Sequence, residues 1–149
     1  MASMDESWKM RNGLMIPNRS VLAAMTNKQS HADGTLSDEE IAFLTRRAKG
    51  GFGIITTAAS HVQESGQGWE GEFGVWDDHH LPGLTNLATK LKAFDARSFV
   101  QIFHGGMRAP SAITGQQPTS ASENFISEHE GNSRELSTKE VEATINAFV

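Results

Sequence analysis

Three short apolar runs, Val21–Met25, Phe52–Ile55 and Phe99–Phe103, each end in a cluster of small and polar residues. Amphipathic stretches follow each cluster, so the pattern predicts three βα units. Runs that are apolar nearly throughout suit strands buried on both faces, and helices between them imply a parallel sheet with right-handed crossovers. The polar clusters, TNKQSHADG, TTAASHVQESG and HGGMRAP, then all fall at the carboxyl ends of the strands. In β/α folds that edge carries ligands and chemistry.

Local signals place the remaining elements. Asn12-Gly13 between short mixed runs predicts a type I′ hairpin, which would cover the bottom of a barrel. Ser37 with Glu40 forms a capping-box pattern, followed by Ile41, Leu44 and Ala48 on one face and a stop at Gly50-Gly51. Pro82 opens a second helix that spaces Leu84, Leu87, Leu91 and Phe94 along one side, with Asp77 and Asp78 suited to its positive end. From Met107 to Glu135 the chain turns polar and exceeds an ordinary βα loop, so an excursion over the same edge with a small hairpin is expected. Ser137 and Glu140 then begin a third helix bearing Val141, Ile145, Phe148 and Val149. The fold class expected is α/β, a partial β/α (TIM) barrel of about three βα units behind an amino-terminal hairpin. A closed barrel needs eight units over roughly 250 residues. The 149 residues therefore read as a truncated, amino-terminal portion of one barrel domain, with no second domain and with open edges that invite self-association.

Composition narrows the chemistry. An apolar fraction of 38% with 14 glycines is that of a globular chain. The net charge of −5 comes without a basic block, which argues against nucleic acid and favours a small-molecule substrate. With no cysteine there is no disulfide, thiolate or iron–sulfur chemistry, so redox work would need an organic cofactor. The amino terminus MASMDESWKM lacks an apolar signal region and no run is long enough to span a membrane, so no membrane partner and a cytoplasmic location are expected.

Gln101 interrupts the most apolar run, and a buried amide left alone costs on the order of 1–3 kcal/mol. Backbone or buried water could answer it, as could a ligand with a planar donor and acceptor edge. His104 and the following Gly105-Gly106 end that run, Thr26 ends the first, and Ala58-Ala59-Ser60 leave the second without bulk. A flat ligand would fit over such an edge. Asp77, Asp78, His79 and His80 read as a solvated helix start and no metal is assigned. Trp69, Phe73 and Trp76 could be a lid or ordinary loop packing.

The segments NRSVLAAMTN, RRAKGGFGIITTAASHVQESG, GVWDDHHLPGL and VQIFHGGMRAPSAI, in this order and spacing, resemble the Old Yellow Enzyme family of flavin oxidoreductases. The resemblance runs from about Lys9 to Val149 and implies a β/α barrel holding FMN, with NAD(P)H as electron donor and an activated alkene or other acceptor as substrate. It further implies that Thr26 lies beside the C4 carbonyl of the flavin, that Ala59 backs the ring, and that Gln101 pairs with its pyrimidine edge. Ala24 and Met25 join them as cofactor contacts. Ala23-Ala24 stands where the family commonly has Ala-Pro, and His104 is separated from Arg108 by one residue more than usual. The family's catalytic and phosphate-binding residues fall in later strands, so no catalytic residue is assigned here. Two expectations result: the amino-terminal part of an FMN oxidoreductase, inactive alone, or a non-catalytic fragment that self-associates or needs a complementing chain.

Overall fold

A computed structural model describes residues 3–149. Its first elements are β1 (Trp8–Lys9) and β2 (Met15–Ile16), paired antiparallel with Trp8 opposite Ile16. The turn is not the expected type I′, which needs positive φ at both central residues. Gly13 alone takes it, at +91°. The Asn12 side chain instead accepts the Leu14 N–H at 3.1 Å, while Gly13 N–H closes on the Met10 carbonyl at 2.9 Å. The loop is therefore an ordinary turn followed by a left-handed glycine.

The central sheet joins β3 (Val21–Leu22), β4 (Ile54–His61) and β5 (Arg97–Phe103) in parallel, in chain order. Between them run α1 (Asp38–Lys49) and α2 (Leu81–Lys92), which cover one face. Leu22, Ile55, Ile41, Leu44, Ala48, Leu87 and Leu91 form the core between sheet and helices, with Phe94 partly buried against it just past α2. Leu84, expected on the same side, is half-buried outside the cluster. The hairpin lies at the amino-terminal edge, where Arg97 Nε donates to the Met15 carbonyl at 3.0 Å.

The helix signals hold with one change. α1 ends with Phe52 N–H on the Arg47 carbonyl and Gly51 N–H on that of Ala48, the paired bonds of a Schellman stop. Its start has only half the capping box: Ser37 Oγ accepts the Glu40 N–H at 3.1 Å, but the Glu40 side chain is buried elsewhere. The stretch after β5 contains α3 (Ser111–Thr114), β6 (Thr119–Ser120), β7 (Phe125–Ser127), β8 (Gly131–Asn132) and β9 (Arg134–Glu135). β7 and β8 make the small hairpin, and β6 pairs with β9 in parallel. α4 (Thr138–Ala147) follows with its capping box complete, and the Arg134 guanidinium and Ser137 hold the Glu140 carboxyl down to about 2. Among the described residues no closed barrel forms, and no helix is long and apolar enough to cross a membrane.

The first strand is shorter than expected. Val21 and Leu22 pair with β4, whereas Ala23, Ala24 and Met25 leave the ladder. Alanine holds a strand weakly, and the chain beyond it is drawn aside, with Ser30 N–H bound to the Gly71 carbonyl at 3.1 Å. β4 extends the other way, through the polar TTAASH segment to His61.

Candidate flavin-facing edge

Side-chain alternation along β5 sets Phe99, Gln101 and Phe103 on the face away from α1 and α2. Gln101 is exposed there, not buried: β5 is an edge strand, and α1 and α2 pack on the opposite face. Its amide is thus open to a ligand and needs no internal partner. Ala59, nearly buried, is its register partner on β4. Thr26 lies past the end of β3 on the same carboxyl-terminal side, exposed, beside half-buried Ala24 and exposed Met25.

The Gln101 backbone is fixed with care. β4 and β5 slip register between Thr56–Phe99 and Ala59–Gln101, three residues of β4 passing against two of β5. Thr57 Oγ1 fills the gap, accepting the Gln101 N–H at 3.2 Å and donating to the Ala58 carbonyl at 2.7 Å. Ser60 Oγ donates to the Gln101 carbonyl at 2.8 Å. The sequence marks Ser60 only as a residue without bulk and does not mark Thr57; the signal for their hydroxyl roles is polar residues inside an otherwise buried strand.

The loop after β4 continues the sheet without being a strand. His61 N–H binds the Phe73 carbonyl and Val75 N–H the His61 carbonyl, while Gly74 N–H reaches the Gly34 carbonyl at 2.8 Å. Beneath it His61, Glu72 and His80 are buried, with His61 Nδ1 3.9 Å from Glu72 Oε1. Burial, assisted by neighbouring His80, pushes the His61 imidazole down to about 4. Burial likewise raises the Glu72 carboxyl to about 7, although Gly68 N–H donates to Oε2 at 2.6 Å. His80 and His104 are also lowered by burial, and His104 Nδ1 accepts the Gly106 N–H at 2.9 Å.

Of the three aromatic residues considered as a lid, Phe73 is core and Trp76 packs against His79 and His80. Trp69 alone reaches the open side, tilted against Phe103 with ring centres 5.4 Å apart. Asp77 Oδ1 accepts the His79 backbone N–H at 2.9 Å and lies 2.7 Å from His79 Nδ1, and Asp77 begins a short helical turn into α2. His80, expected in solvent, is buried against Gly34 and Gly74. Arg108 is exposed in a turn spanning Gly106–Arg108.

The chain is similar to a probable NADH-dependent flavin oxidoreductase of Bacillus subtilis, YqiG, with 34% identity over 143 residues, covering 96% of this chain and 38% of that protein. An NADH:fumarate oxidoreductase of Klebsiella pneumoniae is 34% identical over 140 residues, which are 92% of this chain and 15% of that protein. The chain therefore spans well under half the length of these relatives. Among solved structures, a 2-naphthoyl-CoA reductase complex superposes with a TM-score of 0.88 at 28% identity, over 97% of this chain and 24% of the other. An Old Yellow Enzyme homologue from Zymomonas mobilis gives 0.87 at 20% identity, over 99% and 43%, and so speaks for the fold alone: part of a β/α barrel. Residues 8–149 match the NADH:flavin oxidoreductase / NADH oxidase family, and with that match the chain belongs to it.

Proposed function

We propose that this chain is the amino-terminal portion of an FMN-binding barrel domain and holds the flavin ring across the carboxyl ends of β3, β4 and β5. The observation that carries the reading is the pairing of Ala59 with Gln101, a small residue beside an amide that is open to ligand and pinned through its backbone by Thr57 and Ser60. An amide offers a donor and an acceptor in one plane, which matches the pyrimidine edge of an isoalloxazine. Thr26 can give its hydroxyl to a ring carbonyl, and Ala24, Met25 and Ala59 provide low surfaces on which a flat ring can lie. The open face supplies residues that fit the ring.

When bound, FMN supplies a ring that takes a hydride from NADH or NADPH and returns it to an activated alkene or another small acceptor. The residues of this chain orient that ring and stabilise charge on it. A cytoplasmic setting, where reduced nicotinamides are available, goes with this role. Uncovered apolar side chains, among them Val100 and Ile102, favour a second feature: association with a copy or a complementing chain.

Titrating the isotope-labelled chain with FMN, read at the backbone amides, tests the proposal even where affinity is low. Shifts centred on Thr26, Ala59 and Gln101 are expected. No response there at millimolar-range FMN, or a response centred elsewhere, would remove these residues from the cofactor site.

A further inference from the structure

Two helices of this chain begin with the same Ser-x-x-Glu pattern, yet their glutamates behave differently. In α4 the Glu140 carboxyl folds back to the Ser137 N–H at 2.8 Å and completes the cap. In α1 the Glu40 carboxyl leaves the cap incomplete and is fully buried. A buried carboxyl group needs partners to offset the loss of water. Both partners come from the segment after β3: Asn27 Nδ2 donates to Oε1 at 3.0 Å, and Ser30 Oγ donates to Oε2.

These two bonds bracket Lys28, which at φ +53° is the one non-glycine residue with positive φ among the described residues. Such a conformation is disfavoured for a residue with a Cβ and persists where neighbours enforce it. The far side is enforced as well. Ser30 N–H binds the Gly71 carbonyl, and Gly71 lies so close that a Cβ there would sit 2.7 Å from the Lys28 carbonyl. Residues 27–30 are therefore wedged between the first turn of α1 and the loop after β4, and Thr26 is the residue immediately before the wedge.

We infer that Glu40 is a positioning residue for the flavin-facing edge: through Asn27 and Ser30 it sets where Thr26 stands relative to β4. The inference rests on the proposed flavin site for its functional consequence, while the tie itself is a property of the chain alone. Glu40 touches no reacting atom and acts through its two partners. Thr26 and Ala59 belong to different strand ends, so without the tie their separation would follow the freedom of an unpaired segment.

Amide exchange and backbone spectra of the chain separate the two levels. Glu40→Ala should raise exchange at the Ser30 N–H about tenfold or more and move the Thr26 amide signal, with the α1 amides at Leu44 and Ala48 unchanged. Glu40→Gln should restore both, since its amide oxygen can accept from Asn27 and its NH2 can donate to Ser30 Oγ. If Glu40→Ala unfolds the chain, Ser30→Ala decides, as it cuts the single bond to Glu40 Oε2 outside the helix and four residues from Thr26; a moved Thr26 signal supports the tie. Unchanged Ser30 exchange and an unmoved Thr26 signal in a folded variant overturn the inference. In the FMN titration, a wild-type response at Thr26 that Glu40→Ala leaves undiminished also overturns it. Absence of any wild-type response at Thr26, Ala59 and Gln101 instead sinks the flavin reading, and the exchange result still decides the tie.

Discussion

Thr57 and Gln101, 44 residues apart, are joined where the sheet slips register: the Gln101 N–H donates to Thr57 Oγ1 at 3.2 Å, in the place a strand carbonyl would occupy. Thr57 is almost fully buried, so its hydroxyl has no water to fall back on. Thr57→Val keeps the shape and removes the acceptor, and it should destabilise the chain by about 1–2 kcal/mol. Thr57→Ser should stay close to wild type. Urea unfolding gives the stability, and faster exchange at the Gln101 N–H in the valine variant alone would locate the effect. Equal stabilities for valine and serine would mean that packing, not the hydroxyl, matters here.

If Gln101 pairs with a flavin edge, Gln101→Leu should weaken FMN binding by about 1–3 kcal/mol, or roughly five- to a hundredfold in Kd, with little loss of fold stability because the side chain is exposed. Fluorescence titration of FMN alongside an unfolding curve checks both halves. A folded leucine variant with wild-type FMN affinity would leave Gln101 as a surface residue of β5.

Thr26→Val tests the other end of the same edge. A hydroxyl given to a ring carbonyl stabilises negative charge on the reduced flavin, so its loss should lower the midpoint potential of the bound cofactor. Thr26 is exposed and lies outside the ladder, so the fold should be indifferent to the change. Potentiometry of the FMN-loaded protein with no downward shift would take Thr26 off the cofactor.

Much of this architecture was legible because it depends on short-range signals. Ser37 and Ser137 cap their helices, Gly51 stops α1, and Leu87 and Leu91 face the sheet as their spacing requires. What escaped depends on relations across the fold. The burial expected for Gln101 presumed a covered sheet face, and with three strands that face is open. The register slip that gives Thr57 its role leaves no periodic trace, since it arises between strands. Glu40 carried a capping signature indistinguishable from that of Glu140, and only the proximity of Asn27 and Ser30 diverts it. Asn12 likewise had the residue type of a type I′ turn, but its side chain finds the Leu14 N–H first.

The buried pair of Glu72 and His61 gives opposing pH dependences. The Glu72 carboxyl, raised by burial to about 7 from 4.5, binds its proton more tightly folded than unfolded, so its contribution is present at low pH and lost as pH rises towards 7. His61, lowered from 6.5 to about 4, binds its proton less tightly when folded, so its contribution is lost as pH falls through 6.5 towards 4. Between about 4.5 and 6.5 the two slopes offset each other. Glu72→Gln, which can still accept the Gly68 N–H, removes the first slope. Relative to wild type its stability should climb from pH 4.5 to 7, by an amount on the order of 3 kcal/mol over the whole window. Denaturation at a series of pH values decides it; parallel curves for the two proteins would show that Glu72 titrates normally.

Val100 and Ile102 point to the same side of the sheet as Leu22 and Ile55, yet remain 49% and 46% exposed. The buried residues of α2, Leu87 and Leu91, pack on Leu22 and Ile55, and neither Val100 nor Ile102 belongs to that cluster. β5 is also an edge strand of the sheet. An apolar patch beside an unpaired strand edge is a template for pairing with another chain. Fully burying a side chain of this kind gains about 1.5–3 kcal/mol, so covering the exposed half of both should shift an association constant by roughly ten- to a hundredfold. The chain should therefore move to larger species as its concentration rises. Val100→Lys should push the transition to higher concentration, because a charged edge resists pairing. Val141→Glu, on α4, should have less effect if β5 is the sticky element, although Val141 is itself 39% exposed. Sedimentation velocity across a concentration series distinguishes the cases: equal effects of the two substitutions would implicate α4 alongside the strand, and a wild-type chain that stays monomeric throughout would rule out β5 as an association surface.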